Sequence, residues 1–312
     1  MRVLLDTTYL GRGPSGTGVY IERLAAALRQ EGVDLVEASN DRRAAPAGGG
    51  LGSWRNLLAD RSWVELELPK RARAVAADVL HHPLPALARR APCPQVVTVH
   101  DLAFERMPRA FDRRFRAYAR RAHSSAARRA AAVVCPSEAT ARDVRALWGV
   151  PQARIVVAPH GPGQFEPVPE VAPPANGPAH FLYVGDDEPR KNLALLLAAY
   201  RLYREQASSP LELVVAGSAR ANGRGVRLET APDAARLAEL YGRAAALVHP
   251  ALYEGFGLTA LEAMASGTPV LAGLAAGVVE CCGDAARYTD PRDCTAFAAA
   301  LGELATDAAA RA

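Results

Sequence analysis

Short apolar runs alternate with longer amphipathic stretches along nearly the whole chain. Runs at 2–6, 33–38, 79–82, 95–99, 131–136 and 154–159 are dominated by Val, Leu, Ile and Ala and are bounded by turn formers, which predicts buried strands. Between them, 19–30, 63–77, 106–129 and the stretch from Ser137 to about 148 are predicted to be helical, and Ser137 is placed to cap the last. Strand alternating with helix predicts a parallel sheet covered by helices, an α/β fold. The same pattern then starts afresh. Strands are predicted at 180–185, 211–217, 226–229, 244–248 and 268–272, with helices at 192–206, 233–243 and 258–265. Residues 161–178, which contain six prolines, separate the two series and predict an extended connector. The expected organisation is an N-terminal domain at 1–163, a Pro-rich linker at 164–178 and a second domain at 179–312. Residues 39–53, rich in Ala, Gly, Arg and Pro, predict a mobile loop.

Composition narrows the class. The chain has 312 residues, half of them hydrophobic, enough for two domains of about 150 residues each. No apolar run is long enough to span a membrane, and the N-terminus enters a strand without a basic region and long apolar core, so no signal peptide is expected. Five cysteines without Cys-x-x-Cys spacing predict neither a disulfide framework nor a metal site and suit a reducing cytoplasm. A net charge of +4 is too small to imply nucleic-acid binding. The charge is unevenly spread, however: 106–129 holds nine arginines and one acid, Asp112, around a stripe formed by Phe111, Phe115 and Tyr118. It reads either as a solvated helix face or as a basic surface for an anionic acceptor or anionic membrane.

Two glycine-rich stretches offer chemistry. In the first, Gly11, Gly13 and Gly16 fit the GxGxxG pattern and Glu37 stands where a dinucleotide fold places its ribose-binding acid. Against an NAD-dependent oxidoreductase, the glycines begin four residues after the strand and Pro14 interrupts them. In the second, 249–273, a buried apolar run leads into a turn at Gly255 and Gly257 and then a helix. Glu254 and Glu262 bracket that turn with seven residues between them. A helix N-terminus presents unpaired N–H groups and the positive end of its dipole, which suits phosphate, and glycine lets the backbone approach it. Carboxylates on both sides accept hydrogen bonds from hydroxyls. A nucleotide-sugar has diols flanking a diphosphate and fits that pattern.

The run EGFGLTALEAMASGTPVLA resembles the Glu-x7-Glu signature of the retaining glycosyltransferases of family 4. VVTVHDLAF at 96–104 and GDDEPRKNL at 185–193 resemble two further elements of that family. The resemblance implies a GT-B fold, two Rossmann-like domains with parallel sheets facing each other across a cleft, and transfer of a sugar from a UDP-, GDP-, ADP- or dTDP-sugar to an acceptor hydroxyl on a glycolipid, polysaccharide or small glycoside. It implies no cofactor and no required metal. Carried over residue by residue, His100, Glu254 and Lys191 are the catalytic candidates. Gly16, Thr17, Gly18, Arg190, Lys191, Gly255, Phe256, Gly257, Leu258, Thr259 and Glu262 would bind the donor, with Glu254 on the transferred sugar, the amides of 255–259 on phosphate and Glu262 on ribose.

Arg190 and Lys191 precede a helix, where cations oppose the dipole and need an anion to justify them; the resemblance supplies the leaving diphosphate. One departure concerns Asp186, where several lipid-directed members carry Arg after the glycine. His160 stands where the family often has Asn and is given no role. Relatives usually continue past the point corresponding to residue 312 with a bracing helix, so the second domain is expected to be short. A cytoplasmic enzyme, peripheral to the inner face of a membrane through 106–129, is the expected setting. A non-catalytic nucleotide-sugar-binding scaffold remains a competing reading beside the oxidoreductase.

Overall fold

A computed structural model describes residues 1–12, 15–42, 51–163, 180–307 and 309–311. The predicted linker at 164–178, Gly13 and Pro14, and positions 43–50 of the predicted loop lie outside the described residues. The chain divides into two compact units: Met1–Glu105 with Phe111–Pro159, and His160–Ala312 with Arg106–Ala110.

The first unit holds a six-stranded parallel sheet of β1 (Arg2–Asp6), β2 (Asp34–Ala38), β3 (Val79–His82), β4 (Gln95–Thr98), β5 (Ala132–Cys135) and β6 (Ile155–Val157), in the order β2-β1-β3-β4-β5-β6. The second holds β7 (His180–Gly185), β8 (Glu212–Gly217), β9 (Val226–Thr230), β10 (Ala244–His249), β11 (Val270–Gly273) and β12 (Arg287–Thr289), in the order β12-β11-β10-β7-β8-β9. Every strand pair is parallel. This is the α/β architecture, present twice, that the alternation of strands and helices predicted.

In the second unit the apolar strand residues leave from both faces. Phe181, Tyr183, Leu213 and Val215 pack with helices Leu193–Gln206 and Cys294–Thr306, while Leu182, Val214 and Leu247 pack with Ala234–Gly242, Leu258–Ala265 and Ala276–Cys282. A strand buried on both faces has to be apolar throughout, which explains the continuous runs in the sequence.

The sequence reading lacked β12 and the helices Ala276–Cys282 and Cys294–Thr306, and three of its other elements take a different form. The helix expected at 19–30 begins at Gly16, because Ser15 caps it by accepting from the Gly18 N–H at 3.1 Å. The loop expected at 39–53 ends in a helix, Leu51–Ser62, which continues through a π-helical turn, Trp63–Glu67, into Leu68–Ala74. The Gly48–Gly50 run had hidden its start. In the arginine-rich stretch, Asp112 caps the helix Arg113–Arg129. Its buried face is made of the small residues Ala119, Ser124, Ala126 and Ala127, while Phe115 and Tyr118 of the expected apolar stripe are 46% and 53% exposed. Among the described residues, no helix is long and apolar enough to cross a membrane.

His81, His180 and His249 are buried and His123 is half-buried. Burial drives the pKa values of His81, His123 and His180 down to about 4 and, together with Lys191 and Arg190, that of His249 to about 3. In the unfolded chain each titrates near 6.5. Above that pH neither state is protonated and the full stability is present; as pH falls from 6.5 towards 4 the unfolded chain takes up protons that the fold refuses, so stability falls. The unfolding free energy from urea titrations should therefore drop between pH 7 and 5, by roughly 1 to 2 kcal/mol per histidine, and the midpoints with it. Midpoints that stay level over this range would contradict it.

Candidate active site

In open parallel sheets, ligands bind beyond the carboxyl ends of the strands where the order reverses. In the second sheet that point lies between β7 and β10, and the predicted donor residues come together there. β7 ends at Gly185. A turn held by the Tyr183 hydroxyl, which donates to the Asp186 carbonyl at 2.6 Å, leads into the short helix Pro189–Lys191. Asn192, in the left-handed region at φ 57°, ends that turn and donates from Nδ2 to the carbonyls of Pro250 (3.2 Å) and Pro291 (2.7 Å). The Leu252 N–H donates to the Arg190 carbonyl at 2.8 Å. These bonds tie the segment after β7 to the segment after β10.

The result is an ion pair that sequence spacing could not reveal. Arg190 Nη1 donates to Glu254 Oε2 at 2.5 Å, with side chains 13% and 19% exposed, and Arg190 Nε donates to Glu188 at 2.6 Å. The Lys191 ammonium stands 3.4 Å from Asp186 Oδ1. Asp186, where several lipid-directed members carry Arg, thus faces the neighbouring lysine.

The glycine turn delivers the helix Leu258–Ala265 with an open N-terminus. Helices starting at Gly16, Arg113, Glu138, Ala234 and Cys294 are each capped by a preceding Ser or Asp side chain; here the cap is Gly257, at φ 112°, with no side chain to fill the amide end. A Cβ at Gly257 would be both strained and 3.2 Å from Val278. Ala260 and Leu261 donate to the Gly257 carbonyl, so helix geometry leaves the earlier amides, including Leu258 and Thr259, without intrahelical acceptors. Phe256 is buried beside them. Behind the turn, Gly277 lies so close to the main chain of Glu254 and Gly255 that no side chain fits.

Glu262 is placed differently from Glu254. It is 1% exposed, and the buried Tyr241 hydroxyl donates to its Oε2 at 3.1 Å. Burial and the adjacent carboxylate push the Tyr241 pKa well up, which keeps the hydroxyl a donor. His249, which sequence reasoning passed over, closes β10 between these groups. Its Nδ1 lies 3.3 Å from Thr259 Oγ1, and among the described residues its Nε2 has no hydrogen-bond partner. Its depressed pKa keeps it neutral beside the two cations.

The remaining candidates belong to the first unit. Gly16, Thr17 and Gly18 form the opening turn of a capped helix instead of the loop expected. His100 follows β4, donates from Nε2 to the Pro83 carbonyl at 3.0 Å and meets the Tyr20 ring edge-on at 4.8 Å. Burial lowers its pKa, and in the neutral form Nδ1 carries the lone pair. Asp101 accepts from the Ala103 N–H at 2.8 Å, so it caps the following turn. Tyr20 and His81 both bond Thr98 Oγ1, at 2.8 and 2.9 Å, beneath this histidine. The acid on which the dinucleotide reading relied, Glu37, is engaged by the guanidinium of Arg29.

The second of the two α/β units carries an anion-suited helix start and a cationic segment at the strand-order reversal of its sheet. The family profile described as "Glycosyltransferase Family 4" matches residues 14–161, and "Glycosyl transferases group 1" matches residues 165–312. Together they take in nearly the whole chain, which belongs to the family 4 glycosyltransferases. Among curated proteins it is similar to O-antigen chain mannosyltransferase B of Escherichia coli, at 28% identity over 96% of this chain and 89% of that protein. Among solved structures it is similar to sucrose-phosphate synthase of Thermosynechococcus elongatus, with a TM-score of 0.77 at 19% identity, covering all of this chain and 91% of that one. Anabaena HepE in complex with UDP-glucose gives a TM-score of 0.68 at 16% identity, with the same coverage. These structural similarities concern the fold.

Proposed function

We propose that this glycosyltransferase takes a sugar from a nucleotide-sugar and transfers it to an acceptor hydroxyl with retention of anomeric configuration. The observation that carries the reading is the convergence, at the β7/β10 reversal, of the Arg190–Glu254 pair, Lys191 and the uncapped start of helix Leu258–Ala265. In the reaction proposed, the bond between the anomeric carbon and the phosphate oxygen breaks first. The acceptor oxygen then attacks the same face, and its proton passes to the departing phosphate. Lys191 and the amides around Gly257–Thr259 bear the charge that grows on the leaving group. Glu254, held in one rotamer by Arg190, orients hydroxyls of the transferred sugar, Glu262 receives the ribose, and His100 approaches the sugar from the first unit. Gly16–Gly18 would lie along the pyrophosphate. No carboxylate need act as nucleophile.

The donor's base, the sugar and the acceptor are tested together by incubating the chain with UDP-, GDP-, ADP- and dTDP-sugars and a panel of glycoside acceptors. The reading predicts release of one nucleoside diphosphate and, by NMR, a product with the donor's anomeric configuration. Inverted product would reject the retaining mechanism, and binding without release would favour the scaffold.

The exposed Phe115 and Tyr118, set among the arginines of helix Arg113–Arg129, support an anionic membrane as a partner of the first unit. The chain should co-sediment with phosphatidylglycerol vesicles but not phosphatidylcholine vesicles at low salt. Arg114→Glu/Arg121→Glu should abolish this binding. Equal binding to both vesicles would dismiss the partner.

A further inference from the structure

The residues that open the connector pack on the predicted donor site. The His160 ring meets Phe256 edge-on, with centroids 5.1 Å apart and planes at 66°. Three residues on, Gly163 stands directly against Glu262. A Cβ at this position would overlap Glu262 Oε1 and lie 3.1 and 3.2 Å from the two terminal methyls of Leu258. With the Tyr241 hydroxyl on Oε2, the carboxylate is boxed in on three sides. Gly161, two residues earlier, has nothing within 4 Å of the corresponding point. Neither glycine is in the left-handed region, so the difference between them is one of space and not of backbone conformation.

We propose that Gly163 is a positioning residue of the donor site: its main chain forms one wall of the ribose pocket and sets the carboxylate of Glu262. The inference rests on the reading of Glu262 as the ribose contact. The Tyr241 hydroxyl engages Oε2 and Gly163 stands against Oε1, so the main chain at 163 fixes where the carboxylate can meet a ribose. A methyl group at 163 pushes the carboxylate off that position without touching Lys191 or Glu254. A ribose contact is made equally in the ground and transition states, so its loss raises KM and leaves kcat nearly unchanged.

The test compares Gly163→Ala with Gly161→Ala, each alone and in Glu262→Ala. Donor KM, kcat and thermal midpoint are measured with whichever of UDP-glucose, GDP-mannose, ADP-glucose and dTDP-glucose the wild type turns over. Gly163→Ala should raise KM roughly tenfold; Gly161→Ala should match wild type; and Gly163→Ala should add nothing to KM in the Glu262→Ala background. Gly163→Ala/Glu262→Asp, whose shorter acid frees the space, should recover part of the lost affinity even if Gly163→Ala alone folds poorly. A KM for Gly163→Ala equal to that of Gly161→Ala, or a penalty that persists in Glu262→Ala, overturns the role of Gly163 and leaves Glu262 standing. An unchanged KM in Glu262→Ala, or turnover of none of the donors, overturns the donor reading and this inference with it.

Discussion

Lys191→Ala should lower kcat by roughly two to three orders of magnitude while changing donor KM little. Lys191 sits at the carboxyl end of β7, with its ammonium over Gly185: a Cβ there would be 2.9 Å from Nζ, so glycine is what lets the cation lie against the strand end. It faces Asp186 at 3.4 Å. That separation is a loose pairing, and a diphosphate carrying more charge can draw the ammonium away. Charge accumulates on the diphosphate as the anomeric bond breaks, so the ammonium stabilises the transition state more than the bound donor, and kcat bears the loss. Lys191→Arg keeps the charge but not the compact geometry and should recover only part of the rate. The checking measurement is single-turnover release of nucleoside diphosphate. A Lys191→Ala variant with wild-type release would remove this residue from the chemistry.

Glu254→Gln is expected to cost about a hundredfold in transfer, the scale associated with misplacing a reacting group by about 1 Å. The substitution is isosteric, so the pocket keeps its shape. It breaks the charge pair with Arg190 that fixes the side chain, and it puts an amide donor where the sugar hydroxyls need an acceptor. Arg190→Ala frees Glu254 from its anchor and should bring a loss of the same order. Because the two side chains touch, the double variant should lose much less than the product of the singles; steady-state kinetics of the four proteins gives the coupling directly. Additive losses would show that Arg190 and Glu254 act separately.

The central strands were legible because they are buried on both faces and so are written as unbroken apolar runs, whereas the half-buried edge strand β12 was missed. Arg2–Asp6, Val79–His82 and His180–Gly185 fall where the pattern put them, as does the helix Leu258–Ala265. Caps carried by Ser and Asp were legible too: Ser137 caps the helix as expected. Where side-chain chemistry was weak, the reading slipped. Alanine and serine form the buried face of Arg113–Arg129, while Phe115 and Tyr118 of the aromatic stripe are exposed.

The candidate site was legible as a list of residues but not as an arrangement. Arg190 and Glu254 are 64 positions apart and meet only because β7 and β10 are neighbours and Asn192 clamps both following loops. Asn192 lay inside the 185–193 element and His249 opened the 249–273 stretch, yet neither had been given a role. Their parts follow from a positive φ and from burial, which a single sequence does not encode. Gly163 was unremarkable in a proline-rich stretch; its closeness to Glu262 exists only once the chain has folded back on the helix.

The central claim is that residues 185–193 and 249–273 bind a nucleotide-sugar. Its most direct test is the thermal stability of the wild type and of Glu262→Ala with UDP-, GDP-, ADP- and dTDP-sugars and with NADH. A donor at 100 times its dissociation constant should add about 2.7 kcal/mol to the stability of the wild type, and the same addition should do little for Glu262→Ala. Stabilisation by NADH alone, or stabilisation by a nucleotide-sugar that Glu262→Ala retains in full, would contradict the account.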